Sequence, residues 1–174
     1  SGKTLLAETI GMLAAGSPVS AVPTHGKTNE DEFRKRLFSV LLNGDKVCLF
    51  DNLVGIFDSA SFAAALTGEY FEDRILGKSK TAKMLVKTLF LLTGNNMNIT
   101  GDMCRRVLRI RLAPKNDKLT QRKYDFDPVV KIASMRFEII SDVLSLINHW
   151  KHCGSPRASG ALTSYNNWDT LVRQ

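Results

Sequence analysis

Apolar and polar positions follow two periods along the chain, and the period changes several times. Leu5, Leu6, Thr9, Ile10, Met12 and Leu13 recur at helical spacing, which predicts a helix over 3–15, ended by Gly16-Ser17-Pro18. "VSAVP" stops at Pro23 and reads as a short strand. "NEDEFRKRLFSVLLNGDK" is amphipathic at the helical period. Asn29 can cap it, acidic residues fill its first turn, and Asn43-Gly44 ends it. "KVCLFDN" and "KTLFLLTGNN" are short apolar runs that finish in polar residues, as buried strands do. "SASFAAALTG" predicts a helix closed by Gly68, and "YFEDRIL" and "TAKMLV" flank the basic turn "GKSK" as the arms of a hairpin.

Beyond Asn96, Asp102-Met103-Cys104 reads as a short polar break. "RRVLRIRLAP" alternates Arg with apolar residues, which predicts a third, more exposed strand. "DPVVKIASMRFEIISDVLSLINHWKHCG" predicts a long helix with Pro128 at its start. "SPRASGALTS" predicts a loop, and "YNNWDTLVRQ" the start of another helix. Helices alternating with apolar strands define an α/β class with a mainly parallel sheet. The expected organisation is a core over 1–127 and a helical C-terminal segment over 128–174.

Composition narrows this picture only a little. A chain of 174 residues, 44% hydrophobic and 24% charged, can bury a sizeable core. No apolar run reaches the ~18–20 residues of a membrane span. The helix after Lys3 contains Glu8, unlike a signal peptide. Cys48, Cys104 and Cys153 are widely spaced with no C-x-x-C, which suggests reduced thiols and a cytoplasmic setting. The net charge of +7 permits a polyanionic partner.

Four stretches carry candidate chemistry. Ser1-Gly2-Lys3-Thr4, directly before a helix, matches the last part of the phosphate loop G-x-x-x-x-G-K-[ST], whose first glycine would precede Ser1. Gly2 would let the backbone approach phosphate oxygens. Lys3 would bind the β/γ-phosphates, the Thr4 hydroxyl would hold Mg²⁺, and the helix would add its positive N-terminal end. Asp51, at the end of "VCLFDN", would reach the Mg²⁺ shell. Asn95 or Asn96, closing "LFLLTGNN", could hydrogen-bond an attacking water or the γ-phosphate. Arg105 and Arg106 follow, and guanidinium forks suit phosphate oxygens, those of a neighbouring subunit included. In a strand these two would point to opposite faces, so only one would reach a neighbour; Arg106 is favoured. A zinc site at "HWKHC" is rejected, because His149, His152 and Cys153 lack a second ligand pair.

Each stretch alone is commonplace; their order and spacing are not. Together they resemble the AAA+ ATPase layout of Walker A, Walker B, sensor asparagine and arginine finger. More narrowly, "LFDN…LTGEYFEDRILGKSK…LFLLTGNNMNITGDMCRRVLRIRLAP" resembles the ATPase/helicase module of primase–helicase proteins of prophages, plasmids and integrative elements, which are superfamily III-like. "YNNWDTLVR" looks like that family's C-terminal helix. The resemblance spans nearly the whole chain and implies a piece clipped at both ends, lacking the first strand of a P-loop NTPase sheet. It implies ATP and Mg²⁺ as cofactors, a homo-oligomeric ring and DNA as partner. It gives catalytic roles to Asp51, Asn95, Arg105 and Arg106, with Asn52 and Asn96 beside them. Many AAA+ proteins carry Glu where this chain has Asn52, so the base is unassigned, with Glu69 and Glu72 as substitutes. An insertion at the hairpin grips DNA in the helicases this resembles, which points to Arg74, Lys78 and Lys80. The alternatives are an inactive prophage-derived remnant and an ATP-dependent loader or regulator without unwinding activity.

Overall fold

The computed structural model describes residues 2–19, 21–24, 29–75, 77–113 and 125–156. Helix α1 runs Lys3–Ala15, strand β1 Ala21–Pro23, helix α2 Glu30–Asn43, strand β2 Val47–Phe57 and helix α3 Ala60–Thr67. Strands β3 (Tyr70–Arg74), β4 (Thr81–Leu85) and β5 (Leu89–Ile99) follow, then a 3-10 helix Gly101–Arg105 and helix α4 Pro128–His152. The class is α/β. A parallel three-stranded sheet has the order β1-β2-β5, and β3 and β4 form a separate antiparallel pair. None of the described helices is long and apolar enough to cross a membrane.

The helix ends follow their capping residues. The Asn29 side chain accepts from Asp31 N–H, and Gly44 closes α2 in the left-handed region. Asp127 accepts from Val129 and Val130 N–H ahead of Pro128. The main core lies where α2 and α3 meet one face of the sheet. Phe33, Phe50, Phe57 and Phe62 are fully or almost fully buried there, and Phe90 stacks on Phe50 at 6.3 Å. Phe71 of β3 belongs to the same cluster, so the hairpin packs on this side, and Arg34 ties it to α2 through Asp73 at 3.0 Å. Val47 and Leu49, the alternate residues of β2, are buried outside that cluster. They lie on the other face, where α1 meets β2 and β5 and Gly11 lies against Val47.

Helix α4 packs on α1. Arg136 donates to Leu13 O at 2.9 Å and Ala14 O at 3.3 Å, placing a guanidinium on carbonyls at the α1 C-terminus. The rest of α4 is open: none of its residues is buried, and Val130, Phe137 and Leu144 are exposed.

Two expectations are corrected. The "polar break" at 102–104 is a 3-10 helix that inserts a fully buried Met103 into the core. The strand expected over 105–114 does not form: Arg105 ends the 3-10 helix, Arg106 caps it, and 107–113 are irregular. Alternation supplies a period but not a neighbour, and Leu108, Ile110 and Leu112 stay exposed with no described strand beside them. Pro114, the last residues of the loop expected over 155–164 and the helix expected from Tyr165 lie outside the described residues, as does Ser1.

Candidate functional site

Strands β2 and β5 are not regular partners. Between the pairs Phe50↔Leu92 and Leu53↔Gly94, β2 inserts Asp51 and Asn52 opposite the single Thr93. Between Val54↔Asn95 and Ile56↔Asn98, β5 inserts Asn96 and Met97 opposite the single Gly55. The two bulges cancel, so the register beyond them is restored. Bulges are rare in parallel pairs and serve to re-aim side chains. Each holds an asparagine at positive φ, Asn52 at 63° and Asn96 at 51°, a region that short amide side chains tolerate better than most. Gly94 is required between them, because any Cβ there would strike the Leu53 carbonyl.

The consequence is a switch of face. Before its bulge, β2 sends Cys48 and Phe50 into the aromatic core; after it, Leu53 and Phe57. Asp51 falls on the α1 face at the point of the switch. Thr93 and Asn95, two apart on β5, lie on that same face.

Helix α1 delivers the remaining groups. Gly2 precedes it at φ 75°, and among the described residues no side chain caps the helix N-terminus. The Thr4 hydroxyl donates to Asp51 Oδ1 at 3.1 Å, and Lys3 Nζ donates to Asn95 Oδ1 at 2.6 Å. Thr93 Oγ1 donates to the same Asp51 Oδ1, and Asn52 N–H lies 3.5 Å from that hydroxyl. Thr24, just past β1, holds the Asp51 main chain instead: its N–H and hydroxyl reach the Asp51 carbonyl at 3.1 and 2.7 Å. Lys3, Thr4, Asp51 and Asn95 therefore meet, although up to 92 positions separate them in sequence. The group offers a primary ammonium, a carboxylate, hydroxyls, an amide and an open helix N-terminus, a set suited to a phosphorylated ligand.

Thr93 and Thr24 are not legible as site residues in the sequence. Threonine is an ordinary strand residue, and the one available signal is that Thr93 shares a face with Asn95. Asn52 and Asn96 are exposed at the two bulges. Glu69 and Glu72 lie just before and within β3, and no hydrogen bond among the described residues joins either to Lys3, Thr4, Asp51 or Asn95.

The arginines form a second polar group. Asp102 receives Arg105, and it receives Arg106 Nη1 on its carboxylate and on its main-chain carbonyl, each at 2.8 Å. The Arg105 hydrogen bond, followed by that of Arg106, holds the Asp102 carboxyl below its ordinary range. The two differ in exposure: the Arg105 side chain is 74% exposed and that of Arg106 18%. Arg74, Lys78 and Lys80 are exposed on the hairpin, where Ile75 N–H bonds Lys80 O at 2.8 Å and Lys78 N–H bonds Ile75 O at 3.0 Å.

Among the described residues, no cluster of three or more His, Cys, Asp or Glu could hold a metal ion. His149 Nε2 meets Cys153 Sγ at 3.6 Å, one helical turn apart, while His152 Nδ1 contacts Asn148 O. No protein-family model matches the chain, and neither does any curated protein or solved structure.

Proposed function

We propose that the chain is the ATP-handling part of an AAA+-type P-loop motor that acts on DNA as a helicase or translocase. The observation that carries this reading is the meeting of Lys3 and Thr4, at the start of one helix, with Asp51 and Asn95, from two adjacent parallel strands. Three separate elements supply the four groups in the chain order that phosphate-loop chemistry uses.

Each group has a physical role in this reading. The Lys3 ammonium neutralises the β/γ-phosphates beside the open N-terminus of α1. Thr4 and Asp51 bring a hydroxyl and a carboxylate within 3.1 Å, hard oxygen donors that suit Mg²⁺ alongside phosphate and water. Bound there with ATP, Mg²⁺ would supply charge neutralisation across the phosphates. Asn95 keeps Lys3 aimed and orients the γ-phosphate or the attacking water. Asn52 cannot take up a proton. Phosphoryl transfer through a loose transition state rests mainly on positioning and charge, so a strong base beside Asp51 is not its main requirement. Arg106, favoured when these residues are taken as a strand, loses that basis because no strand forms there and its side chain is only 18% exposed; Arg105, 74% exposed, is the one that would reach a neighbouring subunit. The exposed cations of the hairpin, Arg74, Lys78 and Lys80, meet DNA phosphates.

Nucleotide binding by calorimetry tests the reading. Lys3→Ala should weaken MgATP binding about 100-fold, because it removes a charged partner of the phosphates. Asp51→Asn should lower turnover more than it lowers ATP affinity. Unchanged affinity in Lys3→Ala would remove the phosphate-loop assignment. ATP turnover that DNA does not stimulate would favour a loader over a helicase.

A further inference from the structure

The Asp51 carboxylate is held by two hydroxyls on one oxygen, and the two are not equivalent. Thr4 is the first-turn hydroxyl of α1 and, on the nucleotide reading, would be a ligand of the metal ion held with ATP. Thr24 grips only the main chain of Asp51. Thr93 remains. It is 8% exposed, it lies opposite the Asp51–Asn52 bulge, and its hydroxyl donates to Asp51 Oδ1 while facing Asn52 N–H. A threonine hydroxyl has a single proton, so giving it to Asp51 leaves only lone pairs toward Asn52 and fixes the direction of donation.

We propose that Thr93 is the positioning residue of Asp51. It sets the rotation of the carboxylate from the β5 side, and would hold it there with the Thr4 hydroxyl engaged by the metal. The proposal rests on the nucleotide reading and deepens it. Three features support this role over mere strand filling. The hydrogen bond is to the side-chain carboxylate and not to the backbone. It comes from the single residue opposite the Asp51–Asn52 bulge, on the same face of the sheet as Asp51. It also brings a group outside the phosphate-loop pattern to bear on the proposed metal ligand, and such supporting hydrogen bonds govern metal affinity.

The experiment titrates Mn²⁺ into the full chain with a non-hydrolysable ATP analogue, following free Mn²⁺ by electron paramagnetic resonance. Thr93→Val keeps the volume but deletes the donor, and should weaken Mn²⁺ binding about 10- to 100-fold. Metal-free nucleotide affinity should stay unchanged. Thr93→Ser, which restores the hydroxyl, should return Mn²⁺ affinity close to that of the parent chain. In an Asp51→Asn background, Thr93→Val should cost little more, because the effect passes through the carboxylate. Unaltered Mn²⁺ affinity in Thr93→Val overturns the proposal, and so does an equal loss with Asp51 already replaced. If Thr93→Val does not fold, Thr93→Cys takes its place: a similar volume with a much weaker donor, judged by the same metal-specific loss. Lys3→Ala in the same titration separates the two levels. If it weakens nucleotide binding about 100-fold or more while Thr93→Val leaves the metal untouched, only the Thr93 role fails. If it leaves nucleotide binding intact, or the parent chain binds no nucleotide, the phosphate-site reading fails and the Thr93 role with it.

Discussion

The two faces of the central sheet are made from the same strands and have opposite characters. On one, β2 and β5 meet α2 and α3 through Phe33, Phe50, Phe57, Phe62 and Phe90, with ring centroids 4.7–6.3 Å apart. On the other they meet α1, with Val47 and Leu49 below and then a group of polar side chains around Asp51. The first face is close-packed hydrocarbon, where stability comes from area removed from water and from dispersion contacts. The second pairs a carboxylate, hydroxyls, an amide and an ammonium with each other. A strand alternates faces strictly, so both characters on β2 and β5 would normally require one long unbroken alternation. The bulges relax that requirement. They let β2 place Asp51 on the α1 face and still return Leu53 and Phe57 to the aromatic side.

The sharpest way to break the comparison is to damage the aromatic face alone. Phe50 is fully buried, 4.7 Å from Phe33 and 6.1 Å from Phe62. Phe50→Ala should cost about 3–5 kcal/mol in chemical denaturation, from the transfer energy forgone and the cavity left behind. Its folded fraction should keep the nucleotide affinity of the parent chain. A loss below about 1 kcal/mol would mean that the cluster closes over the gap and that this face does not hold the fold together.

A smaller effect tests whether the two faces also divide the ligands. The hairpin is anchored on the aromatic side through Phe71 and the Arg34–Asp73 ion pair, while Lys78 and Lys80 are exposed at its turn. Lys78→Ala with Lys80→Ala should weaken single-stranded DNA binding and flatten its salt dependence. The slope of log K against log salt should shrink by about one unit for each phosphate that the lysines no longer neutralise. ATP affinity measured without DNA should not move. An unchanged slope returns this turn to a plain solvated surface.

How much of this is readable in the sequence follows the kind of signal each region carries. Helices α1, α2 and α4 declare themselves through period and caps, because Asn29, Gly44 and Pro128 act within a turn of themselves. The convergence of Lys3, Thr4, Asp51 and Asn95 is legible from order alone, since parallel strands joined by helices bring their ends to one edge. The bulges are harder to see. In "CLFDNLVGIF" the apolar positions change parity after Asp51, yet Asp-Asn followed later by Gly55 looks like a strand giving out, and β2 in fact runs on to Phe57. The opposite error occurs in the strand expected over 105–114, where an alternation has no strand to pair with among the described residues. Periodicity is a local property. A partner strand, or a threonine that holds a carboxylate across a ladder, is not.

The smallest expected effect bears on the bulge itself. Asn52 is exposed at φ 63°, in the left-handed region where a Cβ crowds the following carbonyl. Asparagine bears this at little cost and glycine at none, whereas alanine is disfavoured by roughly 1 kcal/mol. If the bulge is a fixed part of the strand, Asn52→Gly should stay within about 0.5 kcal/mol of the parent chain, while Asn52→Ala loses about 1 kcal/mol. Both are read by denaturant titration, with the slope checked for constancy. The contrast between the two substitutions matters more than either value, because neither side chain reaches the core. Equal stabilities would mean that the backbone at 52 leaves the left-handed region without penalty. Asp51 would then lack a fixed aim, and the division of the sheet into an aromatic face and a polar one would rest on α1 and Thr93 alone. The same backbone angle bears on a longer acid: Glu in place of Asn52 keeps the Cβ but loses the short amide whose local hydrogen bonding makes the left-handed region tolerable, so Asn52→Glu should follow the alanine variant in stability.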